Sequence, residues 1–220
     1  GILLMILAIL FFTAMDATAK GLIARYPAPQ VVWTRFAGQL LLVVLILGPR
    51  LGPMLRTRFP VLHFWRSAFQ FGATTFFFLS LPHIGLAEAT AITDINPVLI
   101  TLGAALFLGE RLGPRRIAGV AAALIGALIV IRPGAGVFSW WAVLPMCCAL
   151  SYAGSALLTR RIGAQEPVWG SMIYAALFGT ILAGAALPFV WQPIAAADLW
   201  RFALVGCLGT GAQLCIIRSF

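Results

Sequence analysis

Apolar residues run along the chain in eight stretches separated by short charged or Pro/Gly-rich breaks. They lie at about Ile2–Ala19, Gln30–Leu47, Phe64–Leu81, Ala87–Leu108, Ile117–Ile131, Trp140–Leu158, Val168–Phe189 and Phe202–Ile217. A helix needs about 20 such residues to cross the hydrocarbon core, so the pattern predicts eight spans, the fifth of them short. Strict apolar/polar alternation, the mark of a transmembrane barrel, is absent. One stretch departs from the pattern within itself. Between Leu86 and Gly119, the residues Glu88, Asp94, Asn96 and Pro97 occupy the first half of a span that then runs apolar to Leu108. Pro97 has no N–H to give the carbonyl of Thr93, and hydrocarbon supplies no substitute. A polar, broken half-span leading into an apolar one predicts a helix that lines a cavity inside a bundle.

Composition agrees with this class. Of 220 residues, 62% are hydrophobic and 10% charged, against roughly 25% charged in soluble domains. The chain is expected to be an all-α polytopic membrane protein. Its formal charge of +9 invites a nucleic-acid reading, but the placement of the cations argues otherwise. With the first residue cytoplasmic, the loops on that side hold Arg50, Arg56, Arg58, Arg66, Arg111, Arg115, Arg116, Arg160, Arg161 and Arg218. The opposite side holds Lys20, Arg25, Arg132 and Arg201. This positive-inside bias orients the chain with a cytoplasmic N-terminus and leaves no role for nucleic acid. The four cysteines, Cys147, Cys148, Cys207 and Cys215, lie in apolar stretches without metal-ligand spacing and read as small buried apolar residues. No cofactor or metal site is expected, and no signal peptide is read at Gly1, whose position suggests a trimmed N-terminus.

The sequence also repeats itself. Trp65-Arg66 recurs as Trp200-Arg201, 135 positions on, and Val32-Trp33 recurs as Val168-Trp169, 136 positions on. In that register Asp16–Lys20 falls on Tyr152–Ala156. The unit holds five spans, and an odd number sends the second copy in from the opposite face, giving an inverted repeat. Residues 1–135 form the first five-helix copy. Residues 136–220 form a second copy cut after its third helix, because Phe220 corresponds to Gly85. The expectation is a ten-span fold of which eight spans are present.

Asp16 and Lys20 closing the first span, Arg35 in the second, Ala87 through Pro97, Leu108-Gly109-Glu110-Arg111, Gly119 and Arg218 together resemble the EamA-type transporters of the drug/metabolite transporter superfamily. The resemblance covers the whole chain. It implies two inverted five-helix halves around a central cavity that moves small metabolites by alternating access, and Asp94 is a departure from the usual residue there.

At 1.5 Å rise per residue, Asp16 lies about 6 Å, Arg35 about 7 Å and Asp94 roughly 10 Å below the outer edge, which suggests one charged layer. Asp16 and Arg35 can be ion pairs locking helices or a substrate or proton site, and both readings stay open. Asp94 shares a helix face with Thr90, Pro97 and Thr101. An intramembrane acid is costly and marks function by default, so Asp94 is a candidate for substrate binding or proton coupling. Asn96, Gln70, Tyr152 and Gln213 complete the candidate set, with Trp33, Thr74, Ser155, Trp169 and Tyr174 as further cavity candidates. Glu110 is expected to pair with Arg115 or Arg116 in a tight turn after Gly109. Gly119, Ala123 and Gly126, and likewise Ala175, Gly179 and Ala183, offer small faces for close helix packing.

These features favour a non-enzymatic secondary transporter of a small organic metabolite, amino-acid-like and zwitterionic or cationic. It would work as a monomer in the lipid bilayer of the bacterial inner membrane, with protons as a candidate coupling ion. A membrane enzyme acting on lipid-linked substrates lacks the inventory. His63 is placed in a basic loop and His83 in a Pro-His turn, and there is no HExxH or Gly-x-Ser-x-Gly motif. A non-transporting sensor or assembly subunit would need no polar cavity.

Overall fold

The computed structural model describes residues 2–55, 57–110, 113–131, 140–162, 166 and 168–219. Arg56, Arg111, Arg132 and Phe220, and the side chains of Arg115, Arg116 and Arg218, lie outside the described residues. The helices are α1 (Ile2–Ile23), α2 (Ala28–Leu47), the short α3 (Leu51–Met54), α4 (Pro60–Ser80), α5 (Leu86–Thr93), α6 (Asn96–Leu108), α7 (Pro114–Ile131), α8 (Val143–Ile162), α9 (Val168–Val190) and α10 (Leu199–Ser219). No strand occurs among the described residues. Among the described residues, six helical stretches are long and apolar enough to cross a membrane: Leu3–Ile23, Ala28–Arg50, Leu86–Leu108, Trp140–Ile162, Trp169–Val190 and Ala196–Ile216. The protein is a multi-pass, all-helical membrane protein. The expected third and fifth spans are helical as well, within α4 and α7, and stand outside these six.

Local signals explain the boundaries. Pro27 precedes α2 and Pro60 opens α4, where a missing N–H costs nothing. Gly109 ends α6 in the left-handed conformation, φ +67°, which glycine adopts without Cβ strain. The fourth apolar stretch is two helices. At Asp94–Ile95 the bonding tightens, with Ile95 N–H donating to the Ile92 carbonyl and Val98 N–H to the Ile95 carbonyl. Pro97 lacks the N–H and its ring crowds the carbonyl four residues back, so the break falls where the sequence places it.

The chain forms two compact units. The first comprises Gly1–Ala68 with Ala164–Phe220. In it α1 and α2 pack on α10, and α2 packs on α9. The α2–α10 crossing is backbone on backbone, since a Cβ at Gly38 would stand 2.9 Å from the Gly206 Cα. Gly179 seats the Phe36 ring and Gly184 the Trp33 indole. A core of Val43, Leu47, Met172 and Ile173 is flanked by Leu51, Leu55, Trp169 and Leu214.

The second unit comprises Phe69–Gly163. Here α5 and α6 pack on α7 and α8. Gly103 accommodates Leu157, Gly154 accommodates the Phe69 ring, and Gly72 approaches Ser151. Phe77 and Phe78 are buried packing residues. Small faces do permit close approach at Gly179, as expected, but not at Gly119 or Gly126, where a Cβ would meet nothing within 4 Å. Among the cysteines Cys148 is buried and Cys207 is exposed. Apolar character alone did not fix which of them faces inward, because a lipid-facing surface is equally apolar.

Candidate functional site

In the first unit α1 and α2 bring together Asp16 and Arg35, and α10 carries Gln213. Arg35 is 5% exposed and Gln213 is buried. The Arg35 guanidinium acts electrostatically on Asp16 and lies 5.4 Å from the centre of the Phe36 ring. Gly209 makes the room, for a Cβ there would sit 3.4 Å from Arg35 Nε and 3.0 Å from Met15 Sδ. Gln213 follows Gly209 by one helical turn, so the amide lies on the same stripe of α10.

In the second unit the break in the fourth stretch puts Asp94 in the turn and Asn96 at the start of α6. Asp94 is exposed. Asn96 Oδ1 is buried and has no hydrogen-bond partner among the described residues. Thr90 Oγ1 donates to the Leu86 and Ala87 carbonyls, and Thr101 Oγ1 to the Pro97 carbonyl. The expected polar stripe is therefore partly turned back on its own helix, because a threonine hydroxyl reaches the preceding turn without effort. Gln70, 8% exposed, accepts from Ser155 Oγ at 3.2 Å. Tyr152 is half-buried one turn earlier on α8, and Ser151 stands against Gly72 of α4.

Trp33, Tyr174 and Glu110 make packing and bracing contacts. Trp33 meets Trp191 edge to face. Tyr174 donates to the Leu55 carbonyl at 2.7 Å and stacks on His63. Glu110 lies 3.7 Å from Arg160, a partner brought by the fold from α8.

The residues that sequence reasoning missed are mostly at helix ends. His63 is in the first turn of α4 and 0% exposed, and Arg66 is 2% exposed. Neither is a loop residue. Arg66 donates to the Ser171 carbonyl at 2.9 Å. His63 Nε2 donates to Glu166 Oε2 at 2.6 Å, and Glu166 Oε1 accepts from Thr57 Oγ1 at 2.5 Å and the Arg58 N–H at 2.7 Å. Burial pushes the Glu166 carboxyl up, but the Thr57, His63 and Arg58 hydrogen bonds and the field of His63 together hold it below the usual carboxylate value. Tyr26 Oη donates to Asp198, which also meets Arg25 and Arg201 at 3.3 Å. The signal available in the sequence was Pro60, which places the helix start ahead of His63.

Buried charge between apolar helices, with no soluble domain between them, is the make-up of a membrane transport protein. Residues 1–132 match the EamA-like transporter family, and the chain belongs to that family. It is a family of transporters, not enzymes. The chain is 30% identical to a riboflavin transporter of Rhizobium johnstonii, over 100% of this chain and 74% of that protein. It is 28% identical to a pseudopaline exporter of Pseudomonas aeruginosa, over 100% and 78%. It is 22% identical to an S-adenosylmethionine uptake transporter of Rickettsia bellii, over 100% and 76%. A solved crystal structure shares the fold with a TM-score of 0.73 at 22% identity, covering 98% of this chain and 77% of the other.

Proposed function

We propose that this protein is a secondary transporter that moves a small organic metabolite, zwitterionic or cationic, across the bacterial inner membrane by alternating access. Its N-terminus is cytoplasmic, and residues 1–135 and 136–220 are copies of one inverted repeat supplying eight spans. The observation that carries the reading is the exchange of packing partners. Taking α1, α2 and α4 as the first copies of α8, α9 and α10, each cross-copy packing among these six helices has its counterpart. The α1–α10 packing is matched by α8 on α4, through Gly154 with Phe69 and Ser155 with Gln70. The α2–α10 packing is matched by α9 on α4, through Phe178 with Phe64 and Ser171 with Arg66. The α2–α9 packing is its own counterpart. Exchange of this kind is what an inverted repeat, common among transporters, would give.

The relatives are named for different metabolites, so the substrate class rests on the residues. Arg35 and Asp16 offer opposite charges to a zwitterion, and Gln213 adds an amide. Asp94, Asn96, Thr90, Gln70 and Tyr152 form the second set, with Asp94 as the proton-coupling group. The test is flux of labelled amino-acid derivatives, riboflavin and S-adenosylmethionine in proteoliposomes. One of them should move in the wild type and stop in Arg35→Met. If none moves, the reading fails. In Asp94→Asn, pH-gradient-driven flux should disappear while exchange persists; undiminished gradient-driven flux removes the coupling role.

A further inference from the structure

The helices α2 and α9 run antiparallel, with Trp33 over Gly184, Phe36 over Gly179, and Gln39 Nε2 donating to the Met172 carbonyl. The start of each helix therefore lies at an opposite end of the pair. Each start carries one buried or nearly buried side chain that holds a segment of the other repeat. At the α2 start, Gln30 is 0% exposed. Its Nε2 donates to the Gln192 carbonyl at 2.9 Å, and its Oε1 accepts from the Gln192 N–H at 3.1 Å. At the α9 start, the Glu166 side chain is 7% exposed and takes the three donors from Thr57, Arg58 and His63 described above.

The two ties are equivalent in the repeat. Gln30 and Glu166 are separated by 136 positions, as are Val32 and Val168. Thr57 and Gln192 are separated by 135, as are Trp65 and Trp200. Each time, the residue that leads into the second helix of one copy grips the segment leading into the third helix of the other. We infer that these are paired latches, one at each end of the α2/α9 pair, and that releasing one is what opens the transporter at that end. The inference rests on the transporter reading.

The latches differ in strength. Gln30 makes two neutral bonds, whereas Glu166 makes three to a carboxylate, and charge-assisted bonds are about twice as strong as neutral ones. On Asp198 the Gln30 end carries charge-assisted bonds of its own. Arg25, Tyr26, Asp198 and Arg201 surround it, while Tyr174 and Arg66 brace the other end. Two ties that served only to hold loops would act independently. Two latches on one alternating element are coupled, because a two-state element biased toward opening at one end closes at the other.

The experiment is backbone hydrogen exchange of the full-length protein in lipid nanodiscs, with exchange rates read separately over 57–63 and 192–198. Glu166→Gln keeps the shape and removes the charge. It should raise exchange at 57–63 at least tenfold and lower it at 192–198. Gln30→Ala should do the reverse. Thr57→Val, which leaves both Glu166 and Gln30 in place, should act in the same direction as Glu166→Gln but more weakly. Exchange that rises only at the mutated end, or nowhere, overturns the latch pair. The readout needs no substrate, so it separates from the transport test. Flux without reciprocity removes the latches alone, and reciprocity without flux overturns the transporter reading while leaving the coupling of the two ends in place.

Discussion

The two compact units hold themselves together by different means. In the first, long polar side chains cross between elements: Gln39 to Met172, Arg66 to Ser171, Gln30 to Gln192, Tyr174 to Leu55 and His63 to Glu166. In the second, the polar side chains are mostly short hydroxyls, and Thr74, Thr90, Thr93, Thr101 and Thr159 donate to carbonyls of their own helices. Packing there depends on glycines that seat Leu157 and Phe69. Reach is the physical difference. An amide or guanidinium spans the gap between two helices, whereas a threonine hydroxyl is captured by the preceding turn. The first unit is a braced scaffold. Buried polar atoms without a partner among the described residues occur in both, His63 Nδ1 and Ser67 Oγ in the first and Asn96 Oδ1 and Thr75 Oγ1 in the second.

This contrast yields measurements in descending order of effect. Gly206→Leu forces a side chain into the Gly38 backbone, where nothing flexible can yield. It should cost about 3 kcal/mol, the upper end of the usual cost of overpacking, seen as a drop of several degrees in Tm in detergent; an unchanged Tm would mean the crossing is not tight. Arg66→Met removes a charge-assisted bond from the Ser171 carbonyl, which keeps its helical N–H, and should cost about 1.5–3 kcal/mol, read by the same melt.

Glu166 predicts a pH effect of defined sign. Its carboxyl is held below its ordinary value near 4.5, so the folded state binds a proton less readily than the unfolded chain. Its contribution is present above pH 4.5 and is lost as the pH falls through the folded value. The Tm gap between wild type and Glu166→Gln should narrow as the medium is acidified from neutral to below pH 4, and a constant gap would contradict it.

Asn96→Ala removes an unpartnered atom, so stability should change by less than about 1 kcal/mol while flux falls on the order of tenfold, about 1.4 kcal/mol in barrier. Lost stability with flux intact would reverse the contrast. Smallest of all, Glu110→Gln breaks a half-exposed pair with Arg160 and should move stability by no more than about 0.5 kcal/mol, checked by a Tm within a degree or two of wild type.

The two sets of interactions were not equally visible beforehand. Asp94, Asn96 and Pro97 announce a broken helix because a proline and an acid in an apolar run contradict the run itself, and that contradiction is local. His63 and Arg66 gave no such sign. Their neighbours in sequence are loop-like cations and aromatics, and their partners Glu166 and Ser171 lie more than a hundred positions away. Glu110 likewise gains Arg160 from α8, a partner outside its own turn. Local chemistry identifies candidates for pairing, and the packing of distant helices selects among them.

The sequence by itself determined the solvent, the secondary structure and the family. A chain with so few charges must live in lipid, and in lipid the backbone must satisfy itself within helices. It also carried the correspondence between Val32 and Val168 and between Trp65 and Trp200, which later aligned Gln30 with Glu166. Only the tertiary structure decided which polar groups are buried and what they hold. A hydrophobic run has the same composition whether it faces lipid or protein. The burial of Arg66 and the grip of Glu166 on Thr57, Arg58 and His63 exist only once the helices are placed.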